Sequence, residues 1–258
     1  MAILVFIFGL MIGSFLNCFI LRLHNGKSML GRSVCPKCKK QINWYDNIPI
    51  LSFVILRGKC RFCKKKISWQ YPVVELITGL LFTMAFLINF QFSIFNFQFL
   101  LIDFLRLFKS WFLISVMIII FIYDLRWYLI LDKIIIPSSI IIFILNLFLG
   151  FSWINLLISA IIGSSFFLIQ FLISKGRWIG GGDIRMGALM GFALGWPYVI
   201  LAIFLAYFIG SIVGIGLIVF KNKSWGSQVP LGVFLSVSTV IVMFFGDLIL
   251  KSYYNLLF

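Results

Sequence analysis

Charge is what this chain of 258 residues has least of. Only 11% of its residues are Asp, Glu, Lys or Arg, against about 25% in an ordinary soluble domain. Acid is scarcer still, with 7 carboxylates, a single Glu (Glu75) among them, and there is one His. So little charge excludes a disordered chain, which is rich in charge and poor in aromatics. With 62% hydrophobic residues and 31 Phe, it also excludes a water-soluble globule, which has no way to hide that much apolar surface. What remains is a chain solvated by lipid, in keeping with its mean hydropathy of +1.13.

Long apolar runs are abundant. Segments near 1–22, 73–90, 108–126, 134–150, 153–174, 183–195, 197–220 and 229–250 are long enough to cross a bilayer, or nearly so. The expected fold class is therefore all-α, a polytopic membrane protein of about eight transmembrane helices. Segment 91–107, with Gln91, Asn96, Gln98, Asp103 and Arg106, is amphipathic and expected at the interface. The first run, Met1 to Leu23, has no basic flank and no small-x-small cleavage site, so it reads as a retained span rather than a leader. Gly13, Ser14 and Asn17 mark its packed face, and Cys18 reads as a packed free thiol.

Positive charge sets the orientation. Twelve of the 22 basic residues lie between Arg22 and Pro72, where Asp46 is the only acid. A basic cluster of this size suits nucleic acid, but beside membrane spans it fits a cytoplasmic loop resting on anionic lipid, and that is the reading adopted, with no nucleic acid as partner. Placing this loop inside and alternating across eight spans puts 19 basic residues on the cytoplasmic side and three (Arg106, Lys109, Lys251) outside. Both termini then fall outside. His24 reads as an interfacial residue. Three divisions follow: a first helix 1–22, a loop domain 23–72, and a membrane core 73–258.

Inside the loop, Cys35-Pro36-Lys37-Cys38 is followed 21 residues later by Cys60-Arg61-Phe62-Cys63. Two C-x-x-C turns so spaced are expected to converge on one tetrahedral metal, zinc in preference to iron, and a reducing cytoplasm argues against disulfides. Four cysteine ligands leave no place for water, so the metal is expected to be structural and to fold a loop too small to fold alone. Trp44, Tyr45, Trp69 and Tyr71 suit either stacking on an adenine or anchoring at lipid headgroups. No Rossmann-type glycine motif is present.

Two acids are oddly placed. Asp124 ends the apolar run Ser115–Tyr123, and Asp183 follows Gly180-Gly181-Gly182. Asp124 lies 13 residues below Trp111 and Asp183 lies 13 residues before Trp196. At 1.5 Å per residue both sit roughly 20 Å below the outer interface, at one level in the cytoplasmic half. Intramembrane acids are costly and functional by default; a pairing of Asp124 with Arg126 or Arg177 is the structural alternative. Two facing carboxyls share a proton, so that one activates water while the other polarises a carbonyl. The same pattern, a glycine-broken helix with buried acids, also suits a carrier with a proton relay, and the residues alone divide these two readings evenly.

An ordered set of motifs then resembles the prepilin peptidase, or type IV leader peptidase, family. It comprises Gly13-Ser14-Phe15-Leu16-Asn17 with Arg22-Leu23, both cysteine turns, Asn47-Ile48-Pro49-Ile50-Leu51-Ser52, Tyr71-Pro72-Val73-Val74-Glu75-Leu76, Asp124-Leu125-Arg126, and Gly180-Gly181-Gly182-Asp183-Ile184-Arg185. The resemblance implies a bifunctional enzyme of the bacterial cytoplasmic membrane. It would remove the basic leader of prepilins or pseudopilins, commonly between Gly and Phe, and N-methylate the new terminus with S-adenosylmethionine. It further implies Asp124 and Asp183 as the catalytic pair, Glu75 as a residue serving the methyl donor, and the cysteine loop as a mark of the bifunctional members. A capping role is the structural alternative for Glu75, and a peptidase without methylation the functional one. The sequence departs from the family pattern at Arg185, where Lys is usual, and at Gly181, where an aromatic is usual. Ile130-Leu131-Asp132 lacks the usual proline, and Pro230-Leu231-Gly232 is followed by Val233.

Overall fold

A computed structural model describes residues 1–28, 31–89, 97–221 and 229–257. Nine α-helices are present among these residues: α1 (Ala2–His24), a short α2 (Leu51–Ile55), α3 (Gln70–Asn89), α4 (Phe97–Trp127), α5 (Asp132–Phe148), α6 (Trp153–Ser174), α7 (Gly181–Leu194), α8 (Tyr198–Lys221) and α9 (Leu231–Leu257). The described residues contain no strand, only two isolated bridges. Every one of the eight expected apolar segments is a helix. Six helices are long and apolar enough to cross a membrane, and the protein is an integral membrane protein. The other two, α5 with 17 residues and α7 with 14, are shorter. They span about 25 Å and 21 Å at 1.5 Å per residue, less than a full hydrocarbon core.

The expected interfacial segment 91–107 divides. Residues 91–96 lie outside the described residues, and 97–107 continue into α4 without a break. Nothing between Phe97 and Trp111 interrupts a helix, since no Gly or Pro occurs there, and Asp103 pairs with Arg106 one turn on at 3.6 Å.

The chain forms two compact units, Met1–Ile118 and Ile119–Phe258. In the first, α1 lies against α3 through glycines. A Cβ on Gly9 would come within 2.7 Å of the Gly79 Cα, and one on Gly13 within 2.7 Å of the Glu75 Cα. Between membrane helices no hydrophobic force acts, so close backbone approach of this kind supplies the packing. Polar bonds fix the register at the loop end: Asn17 donates to the Tyr71 carbonyl at 3.2 Å, and Gln70 donates to Asn17 at 3.1 Å. At the other end the Trp111 ring stacks on Phe82, centroids 5.1 Å apart, and its indole N–H donates to the Phe82 carbonyl at 3.1 Å.

In the second unit, α6 and α7 meet at Gly163, Gly187 and Gly191. A side chain on Gly191 would collide with the Ala160 backbone, and one on Gly187 with the Gly163 carbonyl. Asn146 on α5 donates to the Phe192 carbonyl of α7 at 2.6 Å. Tyr198 of α8 donates to Asp247 of α9. Short α7 is thus clamped by two neighbours, and Asp183 stands in its first turn.

Candidate active site and candidate metal centre

The cysteine loop folds from two copies of one local design. In each, the first cysteine N–H donates to the carbonyl five residues on (Cys35 to Lys40, Cys60 to Lys65, both 2.9 Å). The residue after the second cysteine, Lys39 or Lys64, adopts a left-handed φ of 61° or 57°. A two-residue gap followed by such a turn aims both thiols of a copy to one side. Asp46 ties the loop together, accepting from Arg61 Nε at 2.8 Å and Nη2 at 2.6 Å.

The Sγ atoms of Cys35, Cys38, Cys60 and Cys63 all lie within 4.8 Å of one another, with Cys35 and Cys63 at 4.0 Å. Four sulfurs about 2.3 Å from one ion sit roughly 3.8 Å apart, so the cluster matches a tetrahedral thiolate site. All four are free thiols. Burial works against ionising Cys35, yet hydrogen bonds from the Cys38 and Lys37 backbone and from neighbouring thiols bring it down to about 7. Cys63 accepts from the Lys65 backbone, but burial and bonds shared with the other three thiols push it up to about 11. Four thiolates cannot gather without a cation among them, and these residues fit one.

Glu75 is buried on α3 and is not a bare ligand. It accepts the Ile50 N–H at 2.7 Å and a bond from Ser14. Ile50 has a left-handed φ of 59°, a costly conformation for a β-branched residue. Glu75 therefore pins the turn that starts α2. Beyond that turn, the Ser52 side chain is buried while Leu51, Val54 and Ile55 are exposed.

Asp124 and Asp183 come together in the second unit. Asp124, on the last turn of α4, is 5% exposed, and Asp183 is 8% exposed. The Val233 N–H donates to Asp124 Oδ2 at 3.2 Å, across 109 residues of sequence. The Gly180 N–H donates to Asp183 Oδ2 at 3.0 Å, so this carboxyl caps the start of its own helix. The two carboxyls are near enough to interact electrostatically. Ile130, from the connection joining α4 to α5, packs against the bare backbone of Gly182, the residue before Asp183, and of Gly232. Its Cβ lies 2.8 Å from where a Gly182 Cβ would stand, and its Cδ1 2.9 Å from the equivalent point on Gly232. Asp124 is thus held by the start of α9, not by Arg126 or Arg177.

The sequence pointed to every one of these acids and thiols but left Ile130, the Val233 N–H and the partner of Asp132 unseen. Asp132 forms an ion pair with Arg185, one turn of backbone past Gly182. The altered motif around Ile130-Leu131-Asp132 was the only trace of this in the sequence.

Comparison with known proteins follows the same division. Residues 7–89 match the bacterial peptidase A24 N-terminal domain, and residues 111–215 match the type IV leader peptidase family. The prepilin leader peptidase/N-methyltransferase of Bacillus subtilis (strain 168) is 31% identical over 97% of this chain and 96% of its own. That of Aeromonas hydrophila is 30% identical over 97% and 92%. That of Myxococcus xanthus (strain DK1622) is 45% identical over 82 residues, 31% of this chain and 24% of its own. No solved structure matches.

Fold and site together define an all-helical polytopic membrane protein that carries a buried carboxyl pair and a separate tetrathiol cluster. With relatives at this identity along nearly its whole length, the chain belongs to the type IV leader peptidase family.

Proposed function

We propose that this protein is a membrane aspartic endopeptidase that removes the basic leader of prepilins or pseudopilins at the cytoplasmic membrane face and then N-methylates the exposed terminus. The observation that carries the reading is the pair Asp124 and Asp183, two buried carboxyls from separate helices in the part of the chain matched by the type IV leader peptidase family. Each carboxyl has one oxygen fixed by a backbone N–H. With one proton between them, the ionised member takes a proton from water as it attacks the scissile carbonyl. The protonated member hydrogen-bonds that carbonyl, and the departing amine collects the proton the base had taken. A prepilin's own apolar helix starts just after its cleavage site, which would bring the scissile bond to the cytoplasmic half of the membrane, where both acids are expected.

Loop 23–72 serves methyl transfer in this proposal, and the core 73–258 carries the peptidase. Cys35, Cys38, Cys60 and Cys63 would hold structural zinc, which when bound supplies the cross-link that lets the loop fold. The relatives are named N-methyltransferases, which calls for a methyl donor; in this proposal the donor is S-adenosylmethionine, and Glu75 serves its site by holding the Ile50 turn. The 12 basic residues of the first loop support the reading that it lies on the cytoplasmic side of the bacterial inner membrane, against anionic lipid.

The deciding experiment is to incubate the purified protein with a prepilin, with and without S-adenosylmethionine, and weigh the products. Loss of the leader plus one methyl group is expected. A leader lost without added methyl leaves a peptidase alone, and substrate flux in proteoliposomes without proteolysis makes the protein a carrier.

A further inference from the structure

The motif Asn47-Ile48-Pro49-Ile50-Leu51-Ser52 takes no part in the thiol cluster or the carboxyl pair, yet it builds a helix that is inside out for water. The one polar side chain of α2, Ser52, is buried and donates to the Tyr45 carbonyl at 2.9 Å. Leu51, Val54 and Ile55 are 52%, 65% and 65% exposed. Steps of three and four residues put these three aliphatic side chains on one face of the helix. Ile48, just ahead of the helix, is exposed as well. A grouped apolar face of this kind marks a surface that meets something apolar.

The helix is held where a membrane span begins. Ile50, the residue before α2, donates its N–H to Glu75 at 2.7 Å, and Glu75 belongs to the second turn of membrane-spanning α3. Side chains on a helix lean towards its N-terminus, so the Glu75 carboxyl, and the start of α2 with it, lies level with the first turns of α3. There the outward apolar wall of α3 opens, with Val73, Leu76 and Leu80 exposed. Trp69, immediately before α3 and itself exposed, packs on Phe53 of α2 with ring centroids 4.9 Å apart. An indole at the end of a span is a common anchor among lipid headgroups. Charge completes the match: Arg57 and Lys59, both exposed, follow α2, and the stretch from Arg22 to Pro72 holds 12 bases and one acid. A leaflet of anionic phospholipid offers hydrocarbon to the aliphatic face and phosphate to the bases around it.

We propose that α2 is an interfacial membrane anchor: Leu51, Val54 and Ile55 enter the acyl region of the leaflet beside α3, and the surrounding bases hold anionic phospholipid headgroups. The thiol cluster is then fastened to the bilayer by a third element besides α1 and α3, and lipid beneath α2 steadies the left-handed Ile50 turn that Glu75 holds. Trp69 serves this anchor at the headgroups. The inference goes beyond the enzymatic reading and needs neither activity.

Two measurements test this on the whole protein in nanodiscs of phosphatidylcholine with phosphatidylglycerol. In the first, the photo-cross-linker p-benzoylphenylalanine replaces Val54 in one variant and Gln41, an exposed polar residue beside the first cysteine turn, in another. Mass spectrometry after illumination reads what each position has joined. Lipid adducts are expected roughly tenfold more often at 54 than at 41, the preference that burying one aliphatic side chain gives. Equal lipid adducts at the two positions, or cross-links from 54 to a second copy or to another segment of this chain, would overturn the proposal. The second follows hydrogen exchange of the wild-type amides of residues 48–56 with and without phosphatidylglycerol in the bilayer. Anionic lipid is expected to slow exchange severalfold; equal exchange in both bilayers would overturn the assignment to anionic lipid. Neither readout involves cutting or methylation, so failure here and failure of the enzymatic reading are told apart.

Discussion

Replacing Gly187 by Ala adds one methyl group at the point where α6 and α7 touch. That Cβ would lie 2.3 Å from the Gly163 carbonyl oxygen and 2.7 Å from both its carbon and Phe167 Cδ2. Ordinary contact begins near 3.4 Å, so the helices must separate by about 1 Å, because backbone cannot step aside as a side-chain tip does. Overpacking of this kind costs about 1–3 kcal/mol. More telling is where the strain goes. Asp183 stands one turn before Gly187 on the same short helix, so α7 displaces its carboxyl relative to Asp124 as it shifts. A misplacement near 1 Å costs on the order of 100-fold in rate. Gly187→Ala is therefore expected to slow leader removal roughly 10- to 100-fold while the protein still inserts. Gly214→Ala on α8, where a Cβ meets nothing within 4 Å, is the matched control and should cut at the wild-type rate. The assay is the fraction of prepilin shortened with time, normalised to membrane-inserted protein. Wild-type cutting by Gly187→Ala, or equal damage from Gly214→Ala, would refute the reasoning.

Asp124→Asn and Asp183→Asn should each reduce leader removal by about 100- to 10,000-fold, the share expected of general acid–base catalysis, while a pre-cleaved prepilin is still methylated; cutting retained by either variant takes that residue out of the mechanism. Cys60→Ser should lower bound zinc, measured by elemental analysis, from one ion per chain towards none, and destabilise the loop to proteolysis; wild-type zinc content would mean the four thiols are not the ligands. Glu75→Ala leaves the part-buried Ile50 N–H without its acceptor, a loss of about 1 kcal/mol. It should cut methylation by tenfold or more with leader removal intact, as read from the product mass. Equal loss of both activities would make Glu75 a packing residue only.

The same sites show what could be read before folding. The four cysteines were legible because C-x-x-C is a local device: two residues and a left-handed turn at Lys39 or Lys64 bring the thiols round. A common level for Asp124 and Asp183 is an expectation from the sequence, because a helix in lipid converts residue count directly into depth. The helical character of all eight apolar runs came from hydropathy alone, since lipid leaves the backbone little choice. The boundary of α4 was harder to see, because an amphipathic stretch carries no mark of whether it lies along the interface or extends a span.

Composition, run length and spacing, then, determined by themselves that this chain lives in a bilayer, that one loop gathers four thiols, and that Asp124 and Asp183 stand at the ends of apolar runs. Only the tertiary structure decided what those acids touch. Val233 reaches Asp124 across 109 residues, Asp132 meets Arg185 across 53, and Ile130 settles between glycines of two other helices. Contacts of that range depend on how helix surfaces without side chains, at Gly163, Gly187 and Gly191, allow backbones to close on one another. A linear pattern records that a residue is small or apolar, but which neighbour fills the space it leaves is settled only when the helices pack.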